Sequence, residues 1–169
     1  KQKTAYEIMP SLVGSEMCIR DRLYMWGARA LLIMCCLPQG VVRSVPMMYE
    51  MLAAKIHNAK ITGRRLYYGG SITIDAKIME EAGLLPNQRV VVVNLNNGAR
   101  FDTFVISGEE GSGVIELNGP AARLGEVGDS IHILAYVLVD QKEILSFKTR
   151  FVYLDDKNAV VRVEKEESR

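Results

Sequence analysis

Residues 89–106 read Arg-Val-Val-Val-Val-Asn-Leu-Asn-Asn-Gly-Ala-Arg-Phe-Asp-Thr-Phe-Val-Ile, and this stretch decides the fold class. The four valines are β-branched and apolar on both faces, which is typical of a strand buried on both sides. The triplet Asn96-Asn97-Gly98 tolerates positive φ and therefore predicts a hairpin turn. Residues 101–106 then return as a second strand, so the stretch predicts two paired strands of a barrel core.

Further short strands separated by turn signals lie on both sides of this hairpin. We predict them at residues 60–62, 66–68, 114–117, 130–139, 150–154 and 159–163. Asp75 is a good N-cap for a short helix that ends at Ala82 before Gly83, and Asn118-Gly119-Pro120 begins a helical turn. Many short strands with two or three short helices predict a mainly β fold, a small closed barrel rather than a parallel α/β sheet.

The first 46 residues differ in composition from the rest of the chain. They hold six Lys/Arg against three Asp/Glu, all three cysteines and the only tryptophan, and they show no steady period of 2 or 3.6. Residues 23–37 are apolar, but Arg29 interrupts them, so the run falls short of the ~20 residues that a spanning helix needs. No clear small-x-small cleavage site follows this run, which weakens the interpretation as a signal peptide.

Residues 11–22, Ser-Leu-Val-Gly-Ser-Glu-Met-Cys-Ile-Arg-Asp-Arg, resemble a translated sequencing-adapter sequence. We therefore interpret residues 1–46 as a non-native or disordered N-terminal extension, with a genuine targeting segment as the alternative. Residues 47–163 are predicted to form the barrel, and residues 164–169 a charged tail.

Charge and cysteine content exclude several classes of function. A formal net charge of +1 without clustered Lys and Arg argues against nucleic-acid binding, and no segment predicts membrane insertion. Residues 47–169 contain no cysteine, which excludes disulfides, thiolate zinc sites and a Cys nucleophile there. His57 and His132 lack a partner at metal-ligand spacing, so we predict structural histidines and no metal. A cytoplasmic location fits this cysteine usage.

Taken alone, the residues that could perform chemistry carry little information. Gly69-Gly70-Ser71 is most simply a turn, and Arg100 after a hairpin is most simply a surface charge. Four motifs, taken together in their order along the chain, are more specific. They are Met51-Leu-x-x-Lys55-Ile-His57, Leu66-x-Tyr68-x-Gly70-Ser71-Ile-Thr-Ile-Asp75, Asn97-Gly98-x-Arg100-Phe-x-Thr103, and Gly111-Ser-Gly-Val-Ile-x-Leu-Asn118-Gly119-x-Ala121-Ala122-Arg123. In this order and spacing they resemble the pyruvoyl-dependent aspartate 1-decarboxylases.

This resemblance implies a fold, an assembly and a reaction. The family fold is a double-psi β-barrel, usually assembled as a homotetramer with active sites between subunits. Its members cut their own chain, here between Gly70 and Ser71, and convert Ser71 into a pyruvoyl group, without metal or pyridoxal phosphate. That ketone forms a Schiff base with L-aspartate, which loses CO2 and becomes β-alanine, a precursor of pantothenate and coenzyme A.

The resemblance also assigns site residues. The catalytic set is Ser71, Gly70, Lys55, Tyr68, Thr103 and Phe104, and the substrate-binding set is Arg100, Thr103, Asn118, Gly119, Pro120 and Ala121. Arg100 offers a planar fork for a carboxylate and Lys55 a second positive charge. Thr103 would hydrogen-bond the Gly70 carbonyl, Tyr68 and Asn118 would add hydrogen bonds, and residues 119–121 would supply backbone contacts.

Two positions depart from the family pattern. Phe104 stands where the family has a tyrosine proposed to reprotonate the carbanion, and Phe104 has no proton to give. Pro120 stands where alanine is common and lacks an N–H donor. The departures leave two alternatives open: a self-processing relative with altered substrate or weak activity, and a non-catalytic barrel that serves as a binding or assembly module.

Overall fold

The computed structural model describes residues 47–167 of the 169-residue chain. The interpretation of residues 1–46 as a foreign extension therefore falls outside the described residues. Within them, no helix combines the length and the apolar character that crossing a membrane requires.

Nine strands and three short helices make up the described chain. The strands are β1 Met48–Lys60, β2 Gly63–Arg65, β3 Ser71–Asp75, β4 Arg89–Asn94, β5 Arg100–Gly108, β6 Ile115–Asn118, β7 Ser130–Asp140, β8 Lys148–Leu154 and β9 Val160–Glu167. The helices are α1 Ala76–Ala82 and the 3-10 helices Gly119–Arg123 and Ile144–Ser146. The predicted mainly β fold with two or three short helices is confirmed.

The chain closes the sheet into a barrel. The strands are ordered β2-β6-β3-β5-β4-β7-β1-β8-β9, so five strands lie between β2 and β1, yet only Ile61 and Thr62 separate them along the chain. Thr62 N donates to Ile115 O at 2.8 Å, and Ile61 N donates to Asp129 O at 3.0 Å. A ring of seven strands results, with parallel β3–β5 and β2–β6 pairs among antiparallel ones. This ring agrees with the small closed barrel that the sequence predicted.

The core fills the inside of this ring. Val90 and Val92 of β4 are fully buried there, and Val91 on the opposite face is nearly so, as the predicted two-sided burial requires. Buried isoleucines from β1, β3, β6 and β7 complete the cluster. The outward residues of β4 and β5 consequently stand on a rigid, hydrogen-bonded surface.

Residues 66–68, predicted as a strand, are bent and unpaired instead. Tyr67 is fully exposed and Tyr68 half-exposed, because β2 ends at Arg65 and no neighbouring strand continues the ladder beyond it. We refer to residues 66–70 as the 66–70 loop.

Two other strands are longer than the sequence predicted. β1 runs for 13 residues, whereas only its last residue lies in a predicted strand. β9 continues to Glu167, which pairs with Lys148 of β8 in the ladder and by a 2.8 Å ion pair. Residues 164–167 of the predicted charged tail are therefore strand residues, and hairpin pairing extends the barrel domain beyond residue 163.

Asp75 fixes both α1 and the turn before β6. Its carboxylate accepts hydrogen bonds from the backbone N–H groups of Lys77 at 2.8 Å, Gly111 at 3.0 Å and Gly113 at 2.6 Å. Burial opposes ionisation of Asp75, but these backbone donors prevail and lower the pKa of its carboxyl below the ordinary value. Gly83, with φ of 70°, ends the helix as predicted.

We expect Asp75→Asn to lower the free energy of unfolding at neutral pH by about 2–4 kcal/mol, because charge-assisted bonds from three backbone amides to a buried carboxylate are lost. Since folding lowers the pKa of Asp75, its stabilisation is complete above the unfolded value of about 3.9 and disappears as pH falls through the folded pKa. The difference between wild type and Asp75→Asn should shrink accordingly in urea unfolding at low pH. Asp156→Asn, at an exposed turn position, is the control. Equal stability of both variants at pH 7 would contradict this role.

Candidate active site

Ser71 is a buried hydroxyl held by a neighbouring strand. It begins β3, has no solvent exposure, and lies opposite Asn118 of β6 in the ladder. Asn118 Nδ2 donates to Ser71 Oγ at 3.0 Å and to Thr73 Oγ1 at 2.9 Å. Because Ser71 Oγ accepts this bond, its own proton remains free to be donated elsewhere.

Asn118 also presents an unused polar atom. Its Oδ1 is buried and has no hydrogen-bond partner among residues 47–167. Buried acceptors are normally paired, since leaving one unpaired costs about 1–3 kcal/mol. The unpaired amide oxygen lies on the same side chain that holds Ser71. This unpaired acceptor makes the surroundings of Ser71 a candidate functional site.

Backbone atoms of the 66–70 loop lie very close to Gly119 of the first 3-10 helix. A Cβ placed on Gly119 would lie 2.5 Å from Tyr68 O, 2.6 Å from Gly70 N and 2.7 Å from Gly70 Cα. Both glycines have positive φ, 95° at Gly70 and 65° at Gly119. Pro120 Cδ lies 3.5 Å from the position of a Cβ on Gly70. Only glycine at 119 therefore allows this contact.

Thr103 and Phe104 lie on the strand beside Ser71. β3 and β5 are parallel with Ile72 opposite Val105, so the residue before Ile72 runs alongside Phe104. Thr103 is half-buried and Phe104 is 42% exposed. The structure thus brings most of the predicted set together on β3, its neighbours β5 and β6, the 66–70 loop and the first 3-10 helix: Gly70, Ser71, Thr103, Phe104, Asn118, Gly119 and Pro120. Ala121 packs against the core, and Tyr68 contributes its backbone to the Gly119 contact.

Arg100 lies apart from this group within one chain. It begins β5, four residues and about 13 Å of strand away from Phe104. It borders a cavity of about 350 Å³ whose other lining residues are Glu50, Arg89, Val91, Asp102 and Tyr136. Neither Ser71 nor Lys55 lines that cavity. Its other charged residues were not singled out from the sequence, although alternation along a hairpin could have identified Asp102.

Lys55 occupies a third location, beside two histidines. It lies on β1 between Leu134 of β7 and Phe151 of β8, so β7 and β4 stand between it and β5. The His57 ring lies 4.9 Å from the His132 ring and stacks on Tyr153 at 4.6 Å. Burial, and then the charge of Lys55, lower the pKa of both histidines.

The structural role predicted for the histidines fits these contacts in part. His132 Nδ1 accepts from Asn58 N at 3.3 Å, whereas His57 Nε2 is buried without a partner in the described chain. Residues 47–167 contain no group of three or more His, Cys, Asp or Glu side chains arranged to hold a metal ion.

Comparison with known proteins gives consistent matches over the barrel. The family model described as "Aspartate decarboxylase" matches residues 47–161. A protein named aspartate 1-decarboxylase from Caldicellulosiruptor bescii is 52% identical over 121 residues, covering 72% of this chain and 94% of that protein. The protein of the same name from Carboxydothermus hydrogenoformans is 46% identical over 121 residues, covering 72% and 95%. That from Thermoanaerobacter pseudethanolicus is 50% identical over 113 residues, covering 67% and 97%.

Among solved structures, a rationally designed protein titled mkDPBB_sym_86 aligns with a TM-score of 0.36 and 16% identity, over 53% of this chain and 96% of that one.

We expect Gly119→Ala to destabilise the barrel by about 3 kcal/mol or more, because strained φ and overlap with the 66–70 loop act together. Gly98→Ala is a matched control, since Gly98 has φ of 73° but no atom within 4 Å of the point that a methyl group would occupy. Gly98→Ala should lower the free energy of unfolding by only ~1 kcal/mol, the cost of placing alanine at positive φ. Urea unfolding measures both, and equal losses would show that the loop contact is not tight.

Proposed function

The chain belongs to the aspartate decarboxylase family, and from this premise we propose that it converts L-aspartate to β-alanine and CO2 after cutting its own chain between Gly70 and Ser71. One observation carries the proposal: a fully buried serine hydroxyl follows a glycine of positive φ and is held by Asn118. Ordinary turns expose such a serine to water.

The cleavage step uses only groups of the chain and one water molecule. Ser71 Oγ attacks the Gly70 carbonyl carbon, the C–N bond breaks, and the hydroxyl proton passes to the released amine. Loss of the Ser71 Cα proton then breaks the Cβ–Oγ bond, which releases Gly70 as a carboxylate and leaves dehydroalanine. Addition of water with loss of ammonia yields the pyruvoyl group at position 71.

The surroundings of Ser71 support this chemistry. The Asn118 amide orients the oxygen without taking its proton, and the Gly119 contact holds the backbone of Gly70 from the other side. Thr103, two residues before the Val105–Ile72 pair on the neighbouring strand, would donate its hydroxyl to the Gly70 carbonyl, whose developing negative charge needs a donor. Burial of Ser71 keeps bulk water from hydrolysing the ester before elimination.

The same location fits the product group. Ladder pairing with Asn118 keeps position 71 at the end of β3 after the cut, and the unpaired Asn118 Oδ1 is available to a donor on the substrate. When present, the pyruvoyl ketone supplies an electron sink for the carbanion that CO2 leaves behind, so neither metal nor pyridoxal phosphate is required.

Arg100 and Lys55 supply the positive charge that an acidic substrate needs. Arg100 would hold one carboxylate through its two-pronged guanidinium, and Lys55 would add a second charge. Because the single chain separates both from Ser71, we propose that they meet it across subunits of a homotetramer. In this proposal the enzyme is cytoplasmic, and its physiological role is to supply β-alanine for pantothenate.

Phe104 favours one alternative, a self-processing relative with altered substrate or little turnover. The position beside Ser71 on β5 carries a side chain without a transferable proton. Cleavage does not need this proton, but reprotonation of the carbanion does. An active decarboxylase and a self-processing relative with little turnover would therefore both cut their chain, and they would differ only in the decarboxylation reaction.

We expect the purified wild type to give two fragments, one ending at Gly70 and one beginning at position 71, the second bearing a ketone that reacts with hydroxylamine. Ser71→Ala removes the attacking oxygen and should leave one uncut chain. Ser107→Ala, which removes an exposed hydroxyl from β5, should cut as wild type does. Intact mass spectrometry measures all three, and an uncut wild type without a reactive ketone would instead support the non-catalytic barrel.

Phe104→Tyr should raise CO2 release from L-aspartate, by up to ~10²–10⁴-fold if no other group now donates the proton. Phe147→Tyr adds a phenol before β8 and should leave the rate unchanged. The measurement is 14CO2 release under saturating aspartate, with fragment ratios checked so that cleavage is equal. An unchanged rate in a fully cut Phe104→Tyr preparation would show that water or another group already donates this proton.

A further inference from the structure

We propose that Arg89 is a positioning residue that engages Asp102 and thereby keeps Arg100 free to bind a substrate carboxylate. The proposal rests on the proposed function in giving Arg100 an acidic substrate. It concerns Arg89, which lies outside the motifs that indicated the family, and Asp102, an unspecified position within the third motif.

Asp102 is placed to compete for Arg100. The two residues are i and i+2 on β5, so their side chains leave the same face of the sheet about 6.5–7 Å apart. Both are exposed and both line the same cavity. A carboxylate at this distance is within reach of a long guanidinium side chain, and a pair between them would occupy the donors that a substrate needs.

The register of the β4–β5 hairpin supplies a different partner for Asp102. Val91 lies opposite Asp102 and Val93 opposite Arg100, which puts Arg89 diagonally across from Asp102 on the same face. Diagonal neighbours on antiparallel strands are within reach of long side chains. Arg89 Nη2 donates to Asp102 Oδ2 in an ion pair, whereas no acidic side chain of residues 47–167 pairs with Arg100.

The Arg89–Asp102 pair adds little to stability, because its side chains are 74% and 50% exposed. The pair instead determines whether Arg89 or Arg100 binds the Asp102 carboxylate. With Arg89 present, Asp102 is neutralised from the side away from Arg100. Without Arg89, an unpaired anion stands two residues from Arg100, competes for its donors and repels an incoming dicarboxylate.

Glu50 provides a matched comparison. It reaches the same cavity from β1, lies opposite Leu138 of β7, and is not the partner of Arg89 in the structure. Neutralising Glu50 changes the charge of the cavity as much as neutralising Asp102 does. Only Asp102, however, lies near Arg100 on the same strand. Comparing neutralisation of Asp102 with neutralisation of Glu50 therefore distinguishes local competition for Arg100 from a change in net charge.

The test compares wild type with Arg89→Gln, Arg89→Lys and the double variants Arg89→Gln/Asp102→Asn and Arg89→Gln/Glu50→Gln. KM and kcat for L-aspartate are measured on fully cut protein, and the Kd for succinate, a dicarboxylate without an amine, is measured by calorimetry. Arg89→Gln should raise KM and the succinate Kd roughly three- to tenfold, with kcat changed less than about twofold. Arg89→Lys should stay near wild type, because it keeps a cation beside Asp102.

The double variants decide the mechanism. Asp102→Asn should restore KM and the succinate Kd of Arg89→Gln to near wild type, and Glu50→Gln should not. The effect of Arg89→Gln should also shrink in 0.5 M NaCl, since exposed charges are screened within a few ångströms at high salt. Equal rescue by both double variants, or wild-type affinity in Arg89→Gln, would overturn the proposal. Melting temperatures near that of wild type show that each variant is folded, as expected for substitutions at exposed positions.

The succinate measurement separates this inference from the proposed function. Succinate binding that depends on Arg100 and follows the expected variant order, in protein that releases no CO2, would defeat the decarboxylase and leave the role of Arg89 standing. CO2 release with no effect of Arg89→Gln would do the reverse. Wild type that binds no succinate would overturn the role of Arg89.

Discussion

Gly70 and Gly119 bring two backbone segments together with no room for a side chain between them, and the candidate site depends on this contact. The 66–70 loop has no ladder partner of its own, so packing against the 3-10 helix is what fixes its end. The loop then delivers the chain into β3 in a defined register. Ser71 meets Asn118 there, is buried, and is oriented by an amide that leaves its proton free.

The groups needed for an acidic substrate are divided between surfaces of one chain. The residues proposed to cleave the chain lie on β3 and close to it on its two neighbours, β5 and β6, whereas Arg100 and Lys55 lie on the outer faces of β5 and β1, with two strands between those. Barrel strands are hydrogen-bonded on both sides and cannot slide to bring these residues together. Assembly of several copies can bring the two groups of residues together without moving any strand. Such an assembly depends on the exposed surfaces of the barrel rather than on its core.

Local signals predicted those features that are themselves local. Asp75 as a helix cap, Gly83 as a helix end and the Asn96–Gly98 turn need only neighbouring residues, and all are found. β1 escaped prediction because two register shifts, between Leu52 and Ala54 and between Ile56 and Ala59, interrupt its alternation. Residues 66–68 have strand-forming side chains but no partner, and the tight contact at Gly119 joins residues about fifty positions apart. No sequence pattern carries either fact.

β5 connects the two halves of the proposed chemistry. Its outer face carries Arg100 and Asp102 near its start, and Phe104 follows where the strand runs beside Ser71. β5 pairs with β3 on one side and β4 on the other, so the spacing between Arg100 and position 104 is fixed. The same pairing keeps Phe104 beside the Ser71 of its own chain, so no shift of this strand can bring another proton donor to that place. The proton that Phe104 cannot give must therefore come from solvent or from a residue on a different element, and the exposure of Phe104 leaves a route for water.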